Sequence, residues 1–596
     1  METRRVWIAA AALLALVLVV FSPVRHHEFV AFDDQDFLVN NTNVAQGLTA
    51  ASVAWAFAPA NAYTFTGGPL TWLSHMLDVD LFGMTPGPHH VVNVALHALN
   101  TLLLFVLLWR MTGAVGRSAC VAALFAVHPL HVESVAWISE RKDVLSTTFW
   151  LLTTAAYVRY ARQPALARYA VVFVLLTLGL LTKPVLATLP FTLLLIDAWP
   201  LGRAPLSWAE RRRWRPLVLE KLPLLLPAVG VMVLTVAAQQ QLGAVSSAGT
   251  LALPIRLENA VVSYLSYLVK MVWPANLAVF YPYPPHIPVW TVGASSLVLA
   301  AISVAAWRAA RTRAFIAVGW FWYLGTLIPM IGLVQVGSHA MADRYTYVPL
   351  IGIFVMIVWG VAEISGRSPV WRRLAAALAC LTIVACAVVA RAQVNTWRNS
   401  ETLWAHALGV TSDNFRAHAG IAEVLAAGGE IDAAIGHYRE AVRLAPDSDE
   451  WQVNLGLLLV QQDRIADAAS AFERALALRP VDPETHNNLG AMLARLGRVQ
   501  DAIAHYRRSL ELKPVYPLAR RNLGLALAST GDITSALREC LEALRLSPQE
   551  GQWHYEVAVM LMSQGRTGDA IAHLRDAIRL APQHQAAREM LSKLGG

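Results

Sequence analysis

Up to about residue 391 the chain alternates long apolar runs with short polar connections. The runs lie near 6–24, 90–109, 117–137, 143–160, 167–182, 184–199, 217–238, 291–307, 314–334, 345–364 and 373–391. Each approaches the roughly 20 residues that a helix needs to cross a hydrocarbon core about 30 Å thick. The pattern predicts about 11 transmembrane helices. A further segment, PIRLENAVVSYLSYLVKMVW (254–273), carries Arg256, Glu258, Asn259 and Lys270. A lipid-facing span tolerates these badly. It reads as an interfacial or partly inserted helix, followed by the Pro-rich loop YPYPPHIP.

Beyond residue 399 the period changes. Pro446, Pro480, Pro514, Pro548 and Pro582 stand 34 residues apart. Ala434, Ala468, Ala502, Ala536 and Ala570 keep the same step, as do Tyr438, Phe472, Tyr506, Cys540 and Leu574. Small residues where two helices cross, and a proline closing the second, resemble the tetratricopeptide repeat. About five repeats are expected over 415–596, with 392–414 as a linker and half-repeat helix and 1–391 as the membrane domain. The expected fold class is all-α: a polytopic helical membrane domain followed by an α-solenoid. Such stacks present a concave groove to extended peptides or other proteins.

Composition agrees: 56% of the 596 residues are hydrophobic, too many for a soluble protein of this size. The net charge of +8 is unevenly placed. Residues 399–596 hold 20 Lys/Arg against 24 Asp/Glu, and the preceding chain 28 against 16. The basic excess sits in short connections such as RYARQPALARY, GRAPLSWAERRRWR, WRAARTR and GRSPVWRR, where it sets topology. A nucleic-acid partner is therefore not expected. Four cysteines make no disulfide framework. METRR followed by a long apolar run, with no A-x-A-like site before His26, reads as an uncleaved first helix with a cytoplasmic N-terminus.

Orienting the basic loops inward has a consequence. FDDQD, HPLHVE, LLTKP and SHAMADRY all fall on the non-cytoplasmic face, and the repeats lie there too. Asp33 and Asp34 are either solvated at the membrane edge or enclosed. Enclosed, they cannot both ionise readily, which makes one a candidate general base or acid. His89, His90, His131, Glu133, Arg141 and Asp143 join them as candidate substrate-binding residues. Lys183 and Arg344 suit a lipid phosphate, with pairing to Asp143 or Asp343 as the structural alternative. His128, His131 and Glu133 match no tight metal motif, so a divalent metal is neither required nor favoured.

Taken in order, the acidic pair after the first span, HHVVNVALH opening the second, HPLHVE closing the third, DRYTYVP late in the domain, and the repeats resemble the transmembrane-and-tetratricopeptide-repeat O-mannosyltransferases and their bacterial relatives. The resemblance covers nearly the whole chain. It implies a C-type glycosyltransferase fold, a lipid-phosphate-linked sugar donor, action at the luminal or periplasmic face, and Asp33 or Asp34 as the catalytic carboxylate. ERKD (140–143) departs from the GRAD type of the eukaryotic branch, which leaves the sugar and acceptor open.

The expectation is an inverting integral-membrane glycosyltransferase of the inner membrane. Its donor is a polyprenyl-phosphate sugar, with mannose as the candidate, and its acceptor is a hydroxyl, protein Ser/Thr, held by periplasmic repeats. His89, His90, His131 and Glu133 would orient the sugar or support the carboxylate. The rival is a non-enzymatic, membrane-anchored scaffold for pilus, polysaccharide-export or envelope assembly. It explains the repeats and leaves the outer-face polar set unemployed.

Overall fold

A computed structural model describes residues 2–58, 67–204, 212–241, 251–284, 286–333, 337–366 and 368–595. Part of the basic connection 202–215 and of the Pro-rich loop lies outside the described residues. The chain divides into two compact units, Met1–Gly420 and Ile421–Gly596.

The first unit is built from helices α1 (Glu2–Phe21), α2 (Pro69–Phe82), α3 (Pro86–Thr112), α4 (Val115–Val127), α5 (Val132–Ala136), α6 (Arg141–Arg162), α7 (Leu166–Leu180), α8 (Leu189–Ala198), α9 (Trp214–Gln241), α10 (Leu253–Val272), α11 (Val289–Ala309), α12 (Ala314–Leu327), α13 (Pro349–Ser365), α14 (Pro369–Thr396) and α15 (Ser400–Val410). Short helical turns join them, and one small antiparallel pair occurs, β1 (Tyr281–Pro282) with β2 (His339–Met341).

Among the described residues, five helices are long and apolar enough to cross a membrane, α1, α3, α9, α11 and α14, or six if α4 and α5 form one broken span. That pair bends by 57° at Pro129, which has no N–H to continue the ladder. The other expected spans fall on shorter apolar helices, α7, α8, α12 and α13, and on α6. α6 is long enough but polar. Its Ser146, Thr147, Thr148, Thr153 and Thr154 are buried inside the unit rather than turned to lipid. Thr148 donates to Asn100 Oδ1 at 2.7 Å, and Asn100 donates to Val144 O at 2.7 Å, so α3 and α6 are bonded through their polar faces.

Buried apolar residues hold α1 to α3 and α4: Val6 and Leu13 pack with Phe105, Ala122 and Ala123. α12 and α13 cross closely. A Cβ at Gly319 would lie 2.3 Å from Gly352 O, so neither glycine accepts a side chain. α10, at 254–273, turns its polar groups to protein. Asn259 donates to Ala340 O (2.8 Å), Arg256 to Leu333 O (2.9 Å) and Lys270 to Asn276 O (2.9 Å). Its Leu253, Ile255, Leu257, Val269 and Val272 are exposed. Within the segment expected as a linker and half-repeat helix, α14 runs to Thr396 and α15 spans Ser400–Val410.

The second unit contains helix pairs at the expected 34-residue step, such as Asp449–Gln461 with Ile465–Leu478 and Pro483–Arg495 with Val499–Leu512. Ala434, Ala468, Ala502, Ala536 and Ala570 are all fully buried where the paired helices meet. The ring of Tyr506 fills the space over Gly490, where a Cβ would come within 2.7 Å.

Candidate functional site

Pro23 ends the regular first helix, and the chain after it is tied down at several points. Glu28 N–H donates to Arg398 O at 2.9 Å, and Ala31 N–H to Ser400 Oγ at 2.7 Å. Phe32 stacks on Trp137 at 5.0 Å and meets Trp404 edge-on at 5.4 Å. These contacts fix where the next two residues, Asp33 and Asp34, can point.

They point differently. Asp34 is fully buried. Its Oδ1 accepts from the Ser139 N–H (3.0 Å) and hydroxyl (2.5 Å), and its Oδ2 accepts from the Val30 N–H (3.1 Å). Burial pushes its pKa up to about 6, against the pull of those hydrogen bonds. This carboxylate clamps the 30–34 turn to the 137–140 turn. Asp33 is only partly buried and faces Lys142, Glu140 and Arg344. Burial raises its pKa above the ordinary aspartate value, opposed first by Lys142 and reinforced by Glu140.

Around Asp33 lies a set of ion pairs with a consistent layering. Arg344 pairs with Glu133 and, through Nε at 3.2 Å, with Glu140. Lys183 pairs with Asp143 and lies 3.6 Å from Glu140; Lys142 lies 3.3 Å from Glu140. The three carboxylate side chains are 2–8% exposed, and the three cations 11–15%. The acids are thus the more enclosed partners, and a polar pocket opens beside Arg344 and Asp143. Arg344, Asp143, Thr147, Trp150, Thr326 and Tyr345 line that pocket. Burial would raise Glu140, but Lys142, Lys183 and Arg344 outweigh it and hold its pKa down at about 2. Asp343 is not the partner of Arg344. It accepts from the Tyr281 hydroxyl at 2.9 Å, and burial together with Glu133 pushes its pKa up to about 8.

The histidines are placed elsewhere. His90 Nε2 donates to Glu28 O (3.2 Å), and His131 Nδ1 to Phe125 O (2.8 Å) within a wall of Phe125, Tyr347 and Phe354. His89 Nε2 donates to Gly83 O at 2.9 Å. All three are buried. Arg141 is buried as well. It donates to Asp78 (2.7 Å), Ser74 Oγ (2.8 Å) and His89 O (2.9 Å), and also bonds Asn93. The candidates therefore separate. Asp33, Glu133, Asp143, Lys183 and Arg344 share one charged cluster, of which Asp143 and Arg344 line the pocket, whereas Asp34, His89, His90, His131 and Arg141 hold backbone and helices in place behind it.

Sequence reasoning passed over Ser139, Tyr281, His75 and Asp78. Only the last two left a trace, as polar residues at i and i+3 in LTWLSHMLDVD. A separate apolar cleft lies among the helices, lined by Leu104, Leu107, Leu151, Trp199, Trp322 and Val355. Trp322 meets Trp150 of the polar pocket at 5.9 Å between ring centroids.

Comparison with known proteins adds to this geometry. The tetratricopeptide repeat family matches over residues 388–449, 453–517, 507–551 and 521–585. The protein O-mannosyl-transferase TMTC1 of Mus musculus is 36% identical over 165 residues, covering 26% of this chain and 17% of that protein. TMTC3 of the same species is 23% identical over 455 residues, covering 68% of this chain and 47% of that protein. The aligned stretch thus spans less than half the length of either relative. Among solved structures, YrrB, described as a tetratricopeptide-repeat protein with an unusual peptide-binding site, is 22% identical. The match covers 31% of this chain and 96% of YrrB at a TM-score of 0.29. Homologues of this chain include the TMTC O-mannosyl-transferases, the family its motifs resemble.

Proposed function

We propose that this chain is an integral-membrane glycosyltransferase. In this reading it transfers a sugar, with mannose as the candidate, from a polyprenyl-phosphate donor to a protein Ser/Thr hydroxyl at the periplasmic face. The observation that carries the reading is the ion-pair cluster: Lys142, Lys183 and Arg344, each more exposed than the Glu133, Glu140 and Asp143 they pair with, with Asp33 beside them and a pocket at Arg344 and Asp143. Cations held at fixed positions by buried acids are preorganised for a phosphate, which spreads its charge over several oxygens. The apolar cleft reached past Trp150 and Trp322 suits a prenyl chain.

The acceptor hydroxyl attacks the anomeric carbon and forms the new C–O bond. The bond from that carbon to the phosphate oxygen breaks, and its electron pair leaves with the polyprenyl phosphate. Asp33 takes the hydroxyl proton, because Asp34 is occupied on both oxygens. A single displacement inverts the anomeric centre. Asp34, His90, His131 and Arg141 act as positioning residues for the loops that carry Asp33 and Glu140. The repeats hold the acceptor protein, and the basic connections keep the N-terminus cytoplasmic.

Purified chain in detergent, offered a panel of polyprenyl-phosphate sugars, tests this directly. Sugar release from one donor is expected, and Lys183→Met is expected to weaken use of that donor about tenfold or more, mainly through KM. Lys183→Arg keeps the charge and is expected to retain most of the activity. No release from any donor, with a folded wild type, contradicts the proposal.

A further inference from the structure

Behind the pocket, three residues that the proposed reaction does not use converge. His75 and Asp78 stand one turn apart on α2, and His89 opens α3. All three are nearly inaccessible, at 1%, 3% and 0% exposed. One donor atom from each lies within 4.8 Å of the other two.

Their hydrogen bonding is incomplete in a specific way. His89 Nε2 faces the Gly83 carbonyl at 2.9 Å, and a carbonyl can only accept, so Nε2 carries the hydrogen. The neutral ring then presents a lone pair at Nδ1. Among the described residues that atom has no hydrogen-bond partner, and it faces Asp78 Oδ2 at 3.5 Å. Two acceptors are thus set against each other in a buried space. His75 Nδ1 is also buried without a hydrogen-bond partner among the described residues. Each orphaned buried group costs about 1–3 kcal/mol. One cation between them satisfies both nitrogens and draws on Asp78 Oδ2 as a third ligand.

We infer that His75, Asp78 and His89 bind a divalent transition-metal ion, of the zinc class. Two imidazoles and one carboxylate are the ligand types that such ions take, and calcium or magnesium would call for more oxygens. The Gly83 carbonyl fixes the tautomer that points a lone pair at the ion, the usual partner arrangement for a ligating histidine. Arg141 donates to Asp78 Oδ2, the same oxygen that faces His89 Nδ1, and a carboxylate oxygen with two lone pairs can accept from the guanidinium while it binds the ion. The ion ties α2 to α3 and, through Asp78, holds Arg141 at the start of α6, next to Glu140. Its role is structural, since none of its ligands reaches the polar pocket.

The test is metal content in the full-length protein. The chain is purified without chelators, loaded with Zn²⁺ or Co²⁺ and desalted, beside His75→Gln, His89→Gln and a neighbouring control, His90→Gln. The inference predicts about one equivalent bound in the wild type and in His90→Gln, and at least about a tenfold loss of affinity in the other two. It also predicts visible bands of a low-coordinate Co²⁺ site and a lower Tm on chelation in the wild type. A wild type that retains no metal, or metal retained equally by His75→Gln and His89→Gln, overturns it. Should those variants fail to fold, the wild-type Co²⁺ spectrum and the Tm shift on chelation decide alone, and the absence of both overturns it.

Discussion

The two units use the same charged residue types in opposite ways. In the repeats, pairs such as Arg443–Glu440 and Arg464–Asp467 lie in solvent, with arginine side chains 61% and 40% exposed. Water screens them, and they stabilise little. In the first unit, Arg141–Asp78 and the pairs around Glu140 are almost wholly enclosed. There each charge depends on its partner, because removing one leaves the other buried and uncompensated. The repeats are held instead by small residues under large ones, as at Gly490 beneath Tyr506. The repeats thus rest on periodic apolar packing, whereas the first unit adds enclosed local ion pairs to its apolar core.

The comparison breaks most sharply at Arg141. Arg141→Met is expected to destabilise the first unit by about 3–5 kcal/mol, because Asp78 stays buried without its guanidinium. A thermal or denaturant unfolding curve in detergent measures this. A smaller cost is expected in the repeats, where Gly490→Leu overpacks a helix crossing by about 1–3 kcal/mol or more. The smallest effect sharpens the contrast from the other side. Arg443→Ala removes an exposed pair and is expected to leave Tm unchanged. A marked drop in Tm for Arg443→Ala would mean that the solvent-exposed pairs do hold the solenoid.

These differences also explain what could be read from the residues alone. The repeats were legible because one spacing recurs, so Ala434 and its counterparts declare the crossing points without knowledge of the fold. The apolar runs were legible by length where they reach a full span. They were not where α6 buries its threonines against α3, since burial among protein helices removes the demand for an apolar surface. The candidate site was legible as a set of residues but not as roles. Lys183 and Arg344 do sit with Asp143 and Glu133, yet nothing in the order of Asp33 and Asp34 says which one the Ser139 and Val30 donors will occupy. His75 and Asp78 meet His89 only once α2 folds against α3, so no sequence spacing marks them as a set with His89.

The central claim is that Asp33 performs the proton transfer while Asp34 only holds its loop. It is tested by comparing Asp33→Asn and Asp34→Asn as single variants, with turnover on the working donor and Tm measured on each. Asp33→Asn is expected to keep the wild-type Tm and to lose about 10²–10⁴-fold in turnover, the usual contribution of a general base. The base must be deprotonated to act, and its pKa is raised. Wild-type turnover should therefore fall with acid at a pH above the roughly 3.9 of a free aspartate. Asp34→Asn is expected to lower Tm, with any loss of turnover following the loss of fold. A folded Asp34→Asn that is inactive, beside an Asp33→Asn that turns over like the wild type, would contradict the account.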